Sequence, residues 1–469
     1  MDFNLSATYT DLYQLTMAQA YFDDELQNKP VIFDYFFRKN PFNGGYVIFA
    51  GLATVLENLQ KLHFTEEDLE FLSTNGFHQK FINYLRDFRF KGKIYSVREG
   101  EVVFPTAPIL RVEGNAIEAQ LVETFILNFL NYQSLIATKA SRIRWVAEEG
   151  ILSEFGLRRA QSLGGILAAR AAIIGGFDST SNVYAAEKYN IPVEGTMAHS
   201  FIQLYGDELT AFRKYAQAHP KKTTLLVDTY DTLKSGIPNA IQVAGEMRKR
   251  GEQLRAIRLD SGDLAYLSIK AREKLDEAGF PEVKIAASNQ LNEYVIRSLK
   301  EQGAKIDIYG VGTDLVVGKP NAALDGVYKL AMADGKPRIK VSENIQKVTL
   351  PGKKNLKRLY NPDGTFYGMD GIVLDEEKDF DVLTHPFEMH KSKSTKGIQA
   401  KSMLHLVMEN GEAVNLVSDL KEIKRFSQRR LALLPQEYKR FENPHVYKVG
   451  ISEGLKTLRN SLKKEYKVK

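Results

Sequence analysis

The chain has 469 residues, 43% of them hydrophobic, which is enough for two or three packed domains. Its net charge of +6, from 64 basic and 58 acidic side chains, suits anionic small molecules and gives no sign of a nucleic-acid partner. With no cysteine, disulfides, thiolate metal sites and a cysteine nucleophile are excluded.

Residues 1–115 read as a mixed α/β domain. Apolar spacing predicts a helix from Leu12 to Phe22, and Val31–Phe37 and Gly92–Val97 read as strands. A connecting helical stretch covers 116–151, with Leu121, Phe125, Leu127 and Leu130 as core candidates. From 152 to 335 short apolar runs alternate with amphipathic stretches. The runs end at Asp178, at Ser200, at Asp228, in Arg258-Leu-Asp-Ser-Gly-Asp263, at Asn289 and at Thr313. Helices are expected over 179–189, 207–218, 236–250, 264–278 and 289–302. Repeated strand, polar turn and helix predict a parallel α/β architecture, whose strand ends share one pocket. Residues 336–469 change character, with a hairpin-like lysine-rich run over 347–354, the segment Gly364–Asp370 and a basic helix from Leu455 to Lys469. The opening Met-Asp-Phe-Asn-Leu-Ser lacks a signal-peptide pattern, and no stretch approaches the ~20 apolar residues that span a bilayer. A cytoplasmic protein with no membrane partner is expected.

The strand-end residues carry the chemistry. Alternation on a strand puts Arg258 and Asp260 on one face, an arrangement that suits a ribose hydroxyl beside an anion; the plain alternative is a structural ion pair. Gly310-Val-Gly-Thr313 lets backbone N–H groups approach a phosphate, though an ordinary strand-to-helix turn has the same look. Asp228-Thr-Tyr-Asp231 adds carboxylates that alone would simply cap a helix. His199 stands among hydroxyls, Thr196 and Ser200, and a lone histidine is more often structural. Arg158 and Arg159 form a cationic pair suited to phosphate or carboxylate. His385 and His390 lack a third ligand at metal spacing, and the lysines of 347–354 read as a solvated run.

Several blocks in order are more specific than any one. Thr10-Asp-Leu-Tyr-Gln-Leu-Thr-Met17, Glu154-Phe-Gly-Leu-Arg-Arg-Ala-Gln161, Gly175-Gly-Phe-Asp-Ser-Thr-Ser-Asn182, Gly195-Thr-Met-Ala-His-Ser200, Leu226-Val-Asp-Thr-Tyr-Asp231, Arg258-Leu-Asp-Ser-Gly-Asp263 and Gly310-Val-Gly-Thr313 together resemble the nicotinate phosphoribosyltransferases. The resemblance covers essentially the whole chain. It implies an irregular, TIM-like parallel α/β barrel, with an N-terminal α/β sandwich domain completed by C-terminal segments. It also implies formation of nicotinate mononucleotide and pyrophosphate from nicotinate and phosphoribosyl pyrophosphate, with Mg²⁺ and coupled ATP hydrolysis. By resemblance His199 matches a phosphorylated histidine, and Asp260 stands with it in the catalytic set. Tyr13, Thr196 and Arg258 match nicotinate contacts, with Arg158 and Ser200 in the same blocks. Thr313 matches a phosphoribosyl contact, and Gly310, Gly312, Ser288, Asn289 and Asp228 fall in blocks lining that pocket. Arg38 and Lys329 match phosphate-meeting positions of nicotinamide-using relatives. No protein metal ligand is assigned, and a homodimer with shared sites is implied. The competing readings are a nicotinamide phosphoribosyltransferase and a non-catalytic phosphosugar-binding protein. Leu157, where the amide-using relatives usually carry an aromatic residue, favours the acid.

Overall fold

The structure, a computed structural model, describes residues 5–343, 347–415, 417 and 419–467. The first four residues, and the last two of the expected C-terminal helix, lie outside these. The chain forms two compact units, one from Met1–Leu135 with Ala323–Lys469 and one from Ile136–Ala322. The helix expected from Leu12 is present as Leu12–Asp23, and the basic terminal helix as Glu453–Lys467.

In the first unit a seven-stranded antiparallel sheet runs in the order 336–337, 326–333, 30–37, 110–115, 93–96, 405–409, 412–413. Strands from the C-terminal part of the chain thus complete a sheet begun by the N-terminal part. Val31, Phe33, Tyr35 and Phe37 alternate into the core along Pro30–Phe37, as a period of two requires. A second, mixed six-stranded sheet holds Lys354–Tyr360 against Phe366–Leu374.

That pairing corrects two expectations. The hairpin is not 347–354; its first strand begins at Lys354, and Gly364–Asp370 supplies the turn and the start of the second strand. Lys354 is not solvated either. It is buried and paired with Asp34 at 2.7 Å, so a lysine run conceals one core cation. Burial lowers its pKa, with the carboxylate of Asp34 opposing.

On the first strand of that hairpin, Arg358 is wholly buried. It donates to Asp370 Oδ1 and Oδ2 at 3.0 and 2.9 Å, to Glu101 Oε1 at 2.7 Å and to the Val102 carbonyl at 2.7 Å. The Tyr447 hydroxyl completes Asp370 at 2.9 Å. Removing one member leaves an uncompensated buried charge. Asp370→Ala is therefore expected to destabilise the protein by ~3–5 kcal/mol, read as a lower denaturation midpoint. A midpoint within error of wild type would show the network to be dispensable.

The second unit carries a six-stranded sheet in the order 179–180, 151–154, 308–311, 284–287, 256–259, 224–226. Every pairing in it is parallel. The first strand in sequence pairs with the last, and the later strands follow one another in chain order. Among the described residues no ladder joins 179–180 to 224–226, so both remain edges; Val193 adds a single parallel bridge to Thr180.

Four local expectations change. Ile173 and Ile174 end a helix, Gly164–Ile174, instead of forming a strand. Its residues from Gly165 onward are all buried and rich in alanine, so a continuous apolar run belongs here to a core helix. The helix expected from 179 starts at Val183, because Ser179–Thr180 pair with Ser153–Glu154 and Asn182 caps the next turn. The helix expected from 289 starts at Glu293, capped by Asn292. Residues 193–198 form no strand, and His199 opens a short helix, His199–Tyr205.

Candidate functional site

Three parallel strand ends of the second unit, those of 224–226, 256–259 and 284–287, carry the cluster together with the start of the helix His199–Tyr205 and the segment before it. Arg258, at the end of Ala256–Leu259, is its hub. Its Nε donates to Ser288 Oγ at 2.9 Å, its Nη1 to Thr196 Oγ1 at 2.8 Å and the Met197 carbonyl at 3.4 Å, and its Nη2 to Asp260 Oδ1 at 2.8 Å. The same-face placement of Arg258 and Asp260 is thus realised. A guanidinium has five N–H bonds, so one on Nη2 is left for a ligand among the described residues.

Asp260 is held from three sides. Ser288 Oγ donates to the same Oδ1, the Asp260 backbone N–H donates to Asp228 Oδ2 at 2.8 Å, and His199 Nε2 lies 3.8 Å from Asp260 Oδ2. Ser261 Oγ also donates to Asp228 Oδ2, at 2.6 Å, while Asp228 Oδ1 is buried without a partner among the described residues. Asp231, from the same loop, does what the plain reading expected and caps the turn at Leu233 and Lys234. His199 Nδ1 meets Thr229 Oγ1 at 3.1 Å. In the tautomer that carries its proton on Nε2, toward the Asp260 carboxylate, the Nδ1 lone pair is free to accept from the Thr229 hydroxyl.

Beside this cluster opens a cleft of about 340 Å³ lined by Phe155, Arg158, Arg159, Arg258, Asp260, Ser288, Asn289, Gln290, Gly310, Gly312 and Thr313. Arg158 and Arg159 have exposed side chains with no carboxylate partner among the described residues. Two unneutralised guanidinium groups make one wall an anion site. Asn289 and Gln290 both have left-handed backbone, with φ of 82° and 49°, costing about 1–3 kcal/mol each by the usual scale for such conformations. Gly310 is required by packing: a Cβ there would lie 2.5 Å from the Phe155 ring. Its lack of a side chain lets that ring lie along the cleft, 5.8 Å from the Arg258 guanidinium.

The structure therefore brings together His199, Asp260, Arg258, Thr196, Ser288 and Asp228 by direct contact, and Arg158, Asn289, Gly310, Gly312 and Thr313 by a shared cleft. Ser200 is exposed and makes no hydrogen bond to the cluster among the described residues. Tyr13, Arg38 and Lys329 belong to the first unit. Tyr13 is half exposed and accepts from Gln14 Nε2 at 2.8 Å; burial and the charges of Glu123 and Asp11 raise its pKa. Arg38 and Lys329 line a separate cavity of about 110 Å³ with Asp34 and Lys354, and Arg38 Nε is buried there without a partner among the described residues. Burial and the nearby Arg38 lower the Lys329 pKa against the pull of Glu123.

Phe155, Gln290 and Thr229 are additions that sequence reasoning did not reach. Phe155 follows the strand Ile151–Glu154, which ends at the same rim as the others, and that is the signal that would have found it. Among the described residues no group of three or more His, Cys, Asp or Glu fits a metal ion, and no helix is long and apolar enough to cross a membrane. His385 Nδ1 instead accepts from the backbone of Phe387 and Glu388, at 3.2 and 2.9 Å.

Comparison with known proteins gives a consistent picture. Family models for nicotinate phosphoribosyltransferase match as an N-terminal domain over residues 8–131, a central family region over 151–364 and a C-terminal domain over 353–459. The nicotinate phosphoribosyltransferase of Bacillus subtilis is 46% identical over 455 residues, covering 95% of this chain and 92% of that protein. That of Dictyostelium discoideum is 37% identical, covering 95% and 86%. A crystal structure of human nicotinic acid phosphoribosyltransferase superimposes with a TM-score of 0.87 at 30% identity, covering 97% of this chain and 99% of that one.

Proposed function

Because the chain belongs to the nicotinate phosphoribosyltransferase family, we propose that it joins nicotinate to phosphoribosyl pyrophosphate, giving nicotinate mononucleotide and pyrophosphate. The observation that carries this reading is one cleft walled by unpaired Arg158 and Arg159 and bordered by the Arg258–Asp260–His199 cluster.

The pyridine nitrogen already carries a lone pair, so no strong base is needed. Its bond to ribose C1 forms as the C1–oxygen bond breaks, and the electron pair leaves with pyrophosphate. Positive charge then grows on the ribose ring and negative charge on the leaving group. Asp260, fixed by Arg258, Ser288 and its own N–H bond to Asp228, is placed to stabilise the first. Arg158, Arg159 and Thr313 answer the second. The free N–H of Arg258 and the Thr196 hydroxyl hold the nicotinate carboxylate, and Phe155 offers an apolar face to the ring. Ser200, Gly310, Gly312 and Asn289 complete this assignment on the nicotinate and phosphoribosyl sides.

ATP is the co-substrate in this reading, which makes the reaction ATP-dependent. The terminal phosphoryl group bonds to His199 as its bond to ADP breaks, and water later removes it. A phosphorylated His199 places negative charge beside Asp260, disfavouring a second anion there and favouring release of pyrophosphate. Mg²⁺ neutralises the pyrophosphate oxygens when bound. The donor set fits: Asp228 Oδ1 is a buried carboxylate oxygen without a partner, next to Asp260, and such ions take one or two carboxylates plus substrate phosphates. Arg38 and Lys329 are assigned to phosphate in their own cavity.

We read the parallel sheet as an irregular barrel open at one seam, since its strand order is cyclic except between 179–180 and 224–226. A homodimer, as the resemblance implies, belongs to this proposal, and Leu12 and Tyr13, 66% and 48% exposed on one helix, offer apolar surface to it. A cysteine-free composition supports the cytoplasm.

The test is substrate choice. With phosphoribosyl pyrophosphate, Mg²⁺ and ATP, the protein is expected to favour nicotinate over nicotinamide by at least about tenfold in kcat/KM, because an amide leaves the charged contacts unpaired. Equal or reversed preference would overturn the assignment.

A further inference from the structure

We propose that Asn292 is a positioning residue for phosphoribosyl binding, its side chain tying the turn of Ser288–Gln290 to the turn that carries Thr313. The inference rests on the phosphoribosyl reading above.

Asn292 works at both ends of its amide. Its oxygen accepts from the backbone N–H groups of Tyr294 and Val295, each at 3.0 Å, and so caps the helix Glu293–Glu301. Its nitrogen donates to Asp314 Oδ2 at 2.8 Å. A helix cap needs only the oxygen, which serine or aspartate supplies equally well. The nitrogen is the part that capping leaves unexplained, and it reaches the residue next to Thr313.

Both sides of this bridge are anchored. Glu293 is completely buried and takes Lys139 Nζ at 2.5 Å and Arg142 Nε at 3.0 Å, both from the helix Glu123–Ala147. Arg142 also donates to the Tyr294 hydroxyl at 3.2 Å. The start of the capped helix is therefore fixed against a second element. Upstream, the left-handed pair Asn289 and Gln290 relaxes unless both of its ends are held. Ser288 is held by Arg258, and Asn292 holds the other end.

Geometry explains why a side-chain tie is needed there. The parallel ladder between Lys284–Ala287 and Ile308–Val311 pairs Ala286 with Ile308 and Ala287 with Tyr309, and then stops. Beyond it, Asn292 to Asp314 is the hydrogen bond that joins the two turns among the described residues. Asn289, Gln290, Gly312 and Thr313 all line the cleft, so the spacing of the two turns sets the fit of a sugar phosphate.

Three variants test this. Asn292→Ser keeps the cap and removes the reach to Asp314. Asn292→Asp keeps the cap and sets carboxylate against carboxylate. Adding Asp314→Asn to the latter restores a donor–acceptor pair in the reverse direction. The serine variant is expected to raise the KM and the calorimetric Kd for phosphoribosyl pyrophosphate about tenfold, with kcat and the nicotinate KM within about twofold. The aspartate variant should be worse, and the double variant should recover most of the loss. A lower Tm with unchanged KM and Kd would reduce Asn292 to a helix cap and overturn the proposal. So would a double variant no better than Asn292→Asp. A wild-type protein that binds phosphoribosyl pyrophosphate without consuming nicotinate overturns the catalytic reading and leaves the Kd comparison to decide. One that does neither overturns both.

Discussion

His199→Ala is expected to abolish all ATP-stimulated turnover while leaving slow, ATP-independent synthesis of the mononucleotide. The cleft, its arginines and the Arg258–Asp260 pair do not depend on the imidazole, so substrate positioning survives. What is lost is the nitrogen proposed to take the phosphoryl group, and general losses for such groups run to about 10²–10⁴-fold. The environment favours Nδ1 as that nitrogen. Nε2 lies 3.8 Å from Asp260, and in the tautomer protonated there the Nδ1 lone pair points to the Thr229 hydroxyl at 3.1 Å. Incubation with ATP labelled in its terminal phosphate should yield acid-labile label on the wild type and none on the variant. Undiminished labelling of the variant would rule His199 out as the acceptor.

Arg258→Ala should cost more than a single carboxylate contact. The guanidinium binds Thr196, Ser288 and Asp260 at once, so its loss frees the groups proposed to hold nicotinate and to stabilise the ribose. Hydrogen bonds to charged groups contribute about 1.5–3 kcal/mol each, and losing two corresponds to a fall of roughly 10²–10⁴ in kcat/KM. Nicotinate KM should rise and kcat should fall together, in contrast to the single-substrate effect expected at Asn292. Arg258→Lys should recover little, because an ammonium cannot reproduce a planar fork with three partners. An unaltered nicotinate KM would transfer the carboxylate contact to Arg158.

Much of the site could be read from residue order. Polar tips after apolar runs identified Asp228, Arg258, Asp260, Ser288 and Thr313, because a parallel strand and its turn leave a short local signature. The face shared by Arg258 and Asp260 followed from strand alternation alone and is met at 2.8 Å. Residues that act through distant partners were illegible. Thr229 gains its role from a histidine thirty positions away in sequence, and Phe155 from a glycine that yields space for its ring. Ile173–Ile174 and the lysine at 354 misled for a common reason: an apolar or charged run has no fixed environment until its neighbours are known.

The sequence by itself determined the alternation of strand and helix, the family resemblance and the chemical character of the pocket, since each rests on local periodicity and on side-chain chemistry. Only the tertiary structure decided which charges are neutralised. Lys354 and Arg358 are spent inside the core on Asp34, Asp370 and Glu101, whereas Arg158 and Arg159 have no carboxylate partner among the described residues and line a cleft. All four are basic residues in polar-looking surroundings along the chain. Their difference arises because burial makes an unpaired charge costly, and burial is a property of packing between segments far apart in sequence.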